Sequence, residues 1–150
     1  MKISTKGIYA IEAMVDLAIH SQENVESIKN IAERRHLSEK YLEQIIGALR
    51  RADLIISTRG ATGGYQLAKA ADKITALEIL QATENHLVPV ECIEKETDCE
   101  IDCNKCSTRG LWRNLWNEIQ SVIENVTVAD LVEETKVNEL IQETNVEYFI

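Results

Sequence analysis

A chain of 150 residues is long enough to bury a core in one domain, and a single proline with six glycines points to a mostly helical fold. Its formal charge of −9 is unevenly divided: residues 1–70 carry 10 Lys and Arg against 8 Asp and Glu, a net of +2, whereas residues 71–150 carry 6 against 17, a net of −11. That excludes a uniformly basic nucleic-acid binder and leaves a neutral-to-basic N-terminal module able to meet phosphates, followed by an acidic remainder. Lys2 and Lys6 ahead of an apolar stretch imitate a secretion signal, but Glu12 and Asp16 interrupt it and no small-residue cleavage site follows. No apolar run approaches the roughly 20 residues that span a bilayer, so a cytoplasmic protein with no membrane association is expected.

In chain order, Ile8, Ile11, Met14, Val15 and Ala18 recur at helical spacing and predict a first helix over residues 6–20. Ser27 serves as the N-cap of a short second helix over 28–35, and His36-Leu37-Ser38 supplies a turn and a second N-cap. The third helix turns Leu42, Ile45, Ile46 and Leu49 inward and leaves Glu39, Lys40, Tyr41, Glu43, Gln44 and Gly47 on or near its other face. Two short helices around a tight turn are the pattern of a helix-turn-helix, with an ordinary helical hairpin as the alternative. Residues 54–58 then read as a strand, 59–64 as a glycine-dependent loop and 65–68 as a returning strand. A hairpin directly after a recognition helix makes a winged helix, with Arg59 at the wing, in reach of a minor groove or a phosphate. Gly60, Gly63 and Gly64 do not form a nucleotide-binding loop, because no Lys-Ser/Thr follows and no long helix starts there.

All four cysteines fall in one acidic, non-periodic segment, Cys92-x6-Cys99-x3-Cys103-x2-Cys106, among Glu91, Glu94, Glu96, Asp98, Glu100 and Asp102. Converging thiolates bind iron or zinc, and a segment outside helix and sheet lets them converge without breaking either. Free thiols and disulfides are the alternatives; disulfides require an oxidising compartment. His86 lies close to this segment as a further ligand candidate. Downstream, Leu111, Leu115, Ile119, Val122 and Val126, widened by Trp112, Trp116 and Ile123, stripe one helix over 108–125. A face that broad needs cover, either from a second subunit or from the chain's own first helix. Thr127 caps a short further helix with Asp130 in its first turn, Leu131 and Val132 pack back, and an acidic tail with an apolar end runs from 136 to 150.

The opening Met1-Lys2-Ile3-Ser4-Thr5-Lys6-Gly7, the Leu37-Ser38 turn, Tyr41-Leu42-Glu43-Gln44 with Leu49-Arg50, and Arg59-Gly60-x-x-Gly63-Gly64-Tyr65-x-Leu67 resemble the bacterial winged-helix regulators that include IscR, NsrR, RirA and CymR. The likeness continues through Ile74-Thr75-Ala76, the cysteine segment, Leu111-Trp112 and Val128-x-x-Leu131. It implies a dimeric transcription factor, not an enzyme, with a mainly α fold and a small β-hairpin wing. A winged helix-turn-helix over 1–70 would be followed, within 71–150, by a cysteine-rich cluster loop (88–107), a long dimerisation helix (108–125) and a C-terminal helix and tail. By position, Cys92, Cys99 and Cys106 match the three cysteines that hold a [2Fe-2S] cluster in IscR-like members. The histidine that follows three residues later in those members is Arg109 here, which cannot ligate iron. Ile8 cannot replace the acidic partner-subunit ligand of NsrR-like members either. Cys103 is the economical fourth ligand, with Asp102 or Glu100 as substitutes and a four-thiolate zinc site as the alternative metal centre. The surrounding carboxylates should lower the reduction potential of such a cluster. CymR-like members lack the cysteine ligands and answer to a partner enzyme, so the acidic second half is an alternative surface for a protein partner.

The DNA expected is a duplex operator with two-fold symmetry, matched by a two-fold homodimer, and the regulator is expected to act as a repressor. Gln44 suits adenine, Glu43 can accept from a cytosine amine unless it is merely a solvated helix charge, and Ser38, Lys40 and Tyr41 suit phosphates or base edges.

Overall fold

A computed structural model describes residues 1–95 and 99–147; Glu96 and Asp98 of the acidic segment, and the apolar end of the tail, lie outside the described residues. Among the described residues are six α-helices, α1 Thr5–His20, α2 Ile28–Arg35, α3 Glu39–Arg51, α4 Ala76–Thr83, α5 Arg109–Asn125 and α6 Val128–Glu147, and one antiparallel pair, β1 Ile55–Thr58 and β2 Gly64–Leu67. No helix among them is long and apolar enough to cross a membrane.

The core grows from α1. Its Ala10, Ala13, Met14 and Leu17 are wholly buried and meet Ile31 of α2, Leu42, Ile45 and Leu49 of α3, and Ile55 of β1. Small residues at 10 and 13 let neighbouring helices approach closely, and the long side chains fill the space between. Ser27 and Ser38 cap α2 and α3 as the sequence predicts, their hydroxyls accepting from the Asn30 and Tyr41 N–H at 3.1 and 3.2 Å. Between them His36 takes a left-handed conformation (φ 54°), and the Leu37 N–H returns to Ala32 O at 2.9 Å, which makes the tight turn of the helix-turn-helix.

Charge holds α2 in place as well. Asp16, only 1% exposed on α1, receives the Nε and Nη2 of Arg34 at 2.7 to 3.2 Å and the Nε of Arg35 at 3.2 Å. Glu26 accepts a further bond from Arg34, and Glu12 one from Arg35. A carboxylate this buried is tolerable only with such partners, and they orient α2 on α1.

The second half returns to the same core. Ile74 and Val128 are fully buried, and two backbone bonds stitch their segments together in an isolated bridge: Ala76 N–H to Val126 O at 2.8 Å and Val128 N–H to Ile74 O at 2.9 Å. Helix α4, which the sequence reading did not predict, starts at a capping box in which the Thr75 hydroxyl and the Glu78 carboxylate each accept from the other's backbone N–H. Helix α6 corrects a second expectation: it is not a short helix with a separate tail but runs 20 residues from Val128. Thr127 and Asp130 cap it reciprocally, and no glycine or proline then interrupts a stretch in which Glu is the commonest residue, so propagation continues past residue 136.

Candidate nucleic-acid interface and metal centre

On α3 the side chains of Lys40, Glu43 and Gln44 are exposed on the face opposite the buried Leu42, Ile45, Ile46 and Leu49. Ser38, also exposed, has an acceptor lone pair engaged by the Tyr41 N–H, leaving its hydroxyl proton free to donate outward. Tyr41 is placed differently from these: it is half-buried and its ring meets Tyr9 of α1 edge-on, with centroids 6.2 Å apart at 88°. Its contribution is therefore divided between fixing the start of α3 on α1 and presenting a hydroxyl.

The wing pairs Ile55 with Leu67 and Thr58 with Gly64, and its loop carries the exposed Arg59. Gly60 at the tip has φ +112°, a conformation that side chains resist, so the turn requires glycine there. Tyr65 of β2 exchanges two 2.8 Å backbone bonds with Glu26, so the wing is fastened to the entry of α2 and cannot swing freely from the helix-turn-helix. Between wing and α3 lies an open cleft of about 330 Å³ lined by Ser27, Arg50, Ser57, Thr58, Arg59 and Tyr65 among others. Arg50 Nη1 stands 3.4 Å from Ser57 Oγ in this cleft. Sequence reasoning missed Arg50 and Ser57 as site residues; the position of Arg50 in the last turn of α3 was readable, whereas strand alternation puts Ser57 on the face of the buried Ile55 and hides its exposure.

The four cysteines occupy the segment between α4 and α5. Cys92 lies in a single 3-10 turn at Glu91–Ile93, Cys103 in a turn where Asp102 accepts from the Asn104 and Lys105 N–H, and Cys106 just before α5; these three are half-buried, and Cys99 is exposed. All four are free thiols. Among the described residues no three His, Cys, Asp or Glu side chains form a group that could hold a metal ion. His86 faces Glu94 at 3.4 Å. The donor set nevertheless fits an iron-sulfur centre chemically. It offers four soft thiol ligands in one segment between α4 and α5. One is already biased toward the ligating form: the Thr108 hydroxyl, 3.5 Å from Cys106 Sγ, followed by the Thr108 N–H and the N–H and charge of Arg109, holds that thiol below the usual thiol range.

The base of this segment is a junction. Glu84, just past α4, accepts from the backbone N–H of Ser4 at 3.2 Å and from the Ser4 hydroxyl, which itself accepts from the Gly7 N–H. Its carboxylate thus sits on the N-terminus of α1, where the helix dipole favours negative charge. Leu87 is buried with Leu77 and Leu80, against Ile3, Ile11, Trp116 and Ile123. The chain entering the cysteine segment therefore touches α1, α4 and α5 together.

Of the apolar stripe on α5, Leu111 (58% exposed), Leu115 and Val122 (63% exposed) face outward, while Trp112, Ile119 and Val126 are half-buried. Trp116 and Ile123 cover α4, and no residue of α5 is fully buried.

The profile of a family described as "Rrf2: Iron-dependent Transcriptional regulator" matches residues 3–134. The chain is 36% identical over 137 residues to the HTH-type transcriptional regulator IscR of Vibrio campbellii, covering 91% of this chain and 80% of that protein, and 38% identical to the IscR of Erwinia tasmaniensis, covering 91% and 82%. Among solved structures it is similar to CymR, the global cysteine regulator of B. subtilis (38% identity, TM-score 0.75, 89% of this chain and 98% of that one). IscR of T. potens is comparably similar (38%, 0.72, 90% and 88%). These relatives regulate transcription and are not enzymes. By its winged helix, by its profile and by these likenesses across nine-tenths of its length, the chain belongs to the Rrf2 family of transcriptional regulators.

Proposed function

We propose that this regulator binds two-fold symmetric operator DNA as a cytoplasmic homodimer, acts as a repressor, and sets its DNA affinity by an iron-sulfur cluster held by Cys92, Cys99, Cys103 and Cys106, so reporting cluster supply, oxygen or nitric oxide. The observation that carries the reading is the junction at Glu84 and Leu87, where the segment bearing all four thiols is fastened to the helix that carries the DNA-reading elements. A bound [2Fe-2S] cluster would supply a tie among the four thiolates of this one segment. What the chain does with that tie follows from its own contacts. Glu84 grips the first turn of α1; Tyr9 and Asp16 of α1 grip α3 and α2; ordering or loosening residues 84–107 thereby biases the pose of the recognition helix. The exposed Leu111, Leu115 and Val122 support a dimer built on α5, which would set the spacing of two recognition helices.

The test is the affinity of anaerobically purified, iron-loaded protein and of the same protein stripped by a chelator, for a duplex selected from a random pool. A coupling of about 1–3 kcal/mol, or roughly 5–150-fold in Kd, is expected. Equal affinities for the two forms would contradict the proposal.

A further inference from the structure

Arg109 opens α5, three residues beyond Cys106, and among the described residues its Nε is the one buried side-chain nitrogen or oxygen without a hydrogen-bond partner. Buried donors are nearly always paired, and a guanidinium N–H withheld from water is an expensive exception. Around it the sequence is strongly acidic, with Glu91, Glu94, Glu100 and Asp102 in the described part of the segment, yet the Nε takes none of these carboxylates. Arg109 directly follows Thr108, whose hydroxyl lies 3.5 Å from Cys106 Sγ, so the first residue of α5 stands beside that sulfur.

We propose that the Nε–H of Arg109 is reserved for the metal centre: it donates to a sulfur of the bound iron-sulfur cluster at the Cys106 corner, and its charge offsets the carboxylates around that corner. Arg109 is thus a positioning and tuning residue and not a ligand; the inference rests on the cluster reading above. Sulfur bound to iron is an anionic acceptor, so a donor held out of water strengthens its hold on the site and favours the reduced, more negative state. Without the arginine, the acidic segment meets less opposing charge and the centre becomes harder to reduce.

The full-length protein, loaded with iron and sulfide under anaerobic conditions, is compared with Arg109→Lys, Arg109→Gln and Arg109→Met. Visible absorption, iron and sulfide content, midpoint potential and the rate of iron loss to a chelator are measured on each. Arg109→Met should retain the absorption but shift the one-electron equilibrium toward the oxidised form about tenfold, about 59 mV to lower potential, and lose iron several-fold faster. Arg109→Lys, which keeps the charge without the planar donor, and Arg109→Gln, which keeps a neutral donor, should each fall between Met and wild type. If Arg109→Met fails to fold, these two carry the test. Loaded variants with the wild-type potential and chelator rate overturn the inference alone. A wild-type protein that takes up no iron and sulfide overturns the cluster reading and this inference with it.

Discussion

Replacing Gly7 by Ala sets two effects of opposite sign against each other. In an exposed helix the change stabilises by about 1 kcal/mol, because alanine loses less backbone freedom than glycine. Here a Cβ on Gly7 would overlap Glu84 Oε1 outright and come within 3.2 Å of Ile3 Cγ2. Glu84 would have to withdraw, giving up its bonds from the Ser4 N–H and hydroxyl, and hydrogen bonds to a charged group are worth about 1.5–3 kcal/mol. With two such bonds lost against the helix gain of about 1 kcal/mol, the net expectation is a loss of about 2–5 kcal/mol. Gly47→Ala is the control: its Cβ meets only the flexible end of Arg51 at 3.4 Å, and it should gain about 0.5–1 kcal/mol. Urea midpoints at one fixed protein concentration measure both, the fixed concentration being needed wherever subunits associate. In a Glu84→Ala background the Gly7→Ala change should turn stabilising. If Gly7→Ala stabilises the unaltered chain by about 1 kcal/mol, the clasp between Glu84 and α1 is not holding the helix, and the route from the cysteine segment to the DNA-reading helices loses its first link.

Leu115→Asp places a charge on the open stripe of α5 and should convert a dimer to monomer in sedimentation experiments, while a dimer of unchanged stability would place the interface elsewhere. Gln44→Ala should cost about 1–3 kcal/mol on a selected duplex and leave random DNA nearly unaffected, whereas Arg59→Ala should weaken both and flatten the salt dependence by about one unit in log K per log salt; equal losses for Gln44→Ala on both duplexes would remove it from base reading. Stability should fall on acidification: Glu26, which burial pushes up but the Asn30 amide, Ser27 N–H and Arg34 more than offset, and Glu78, beside Lys69 and the Thr75 N–H, both titrate below the ordinary glutamate value of 4.5. Carboxylates with lowered values contribute fully above about pH 4.5 and lose that contribution as pH drops through the folded-state values, so urea midpoints should decline in this range and decline less in Glu26→Gln.

The helix-turn-helix was legible because its signals are local. Ser27 and Ser38 stand at the caps, Leu42, Ile45, Ile46 and Leu49 repeat at helical spacing, and Gly60 marks the wing tip. Helix α4 carried an equally local signal, Thr75-x-x-Glu78, but its eight residues are too few for a clear period and Leu77, Ile79 and Leu80 read as a short apolar run of either type. The reach of α6 was underestimated because an acidic composition was read as a tail, although it contains no breaker. The contacts that organise the candidate site had no sequence signature. Ser4 and Glu84 lie 80 residues apart, Asp16 and Arg34 lie 18 apart, and an unpaired Arg109 Nε exists only in three dimensions. Cysteine spacing suggests a donor set, but it says nothing of the junction that ties that segment to α1.

The central claim is that the cysteine segment holds an iron-sulfur cluster, and it is tested most directly by metal and sulfide analysis of the anaerobically purified protein beside its Cys103→Ala variant. The account predicts iron and acid-labile sulfide in equal amounts, about two of each per chain, with both lost from Cys103→Ala as fully as from Cys92→Ala. Stoichiometric zinc without sulfide, or a wild-type protein free of both metals, would contradict it.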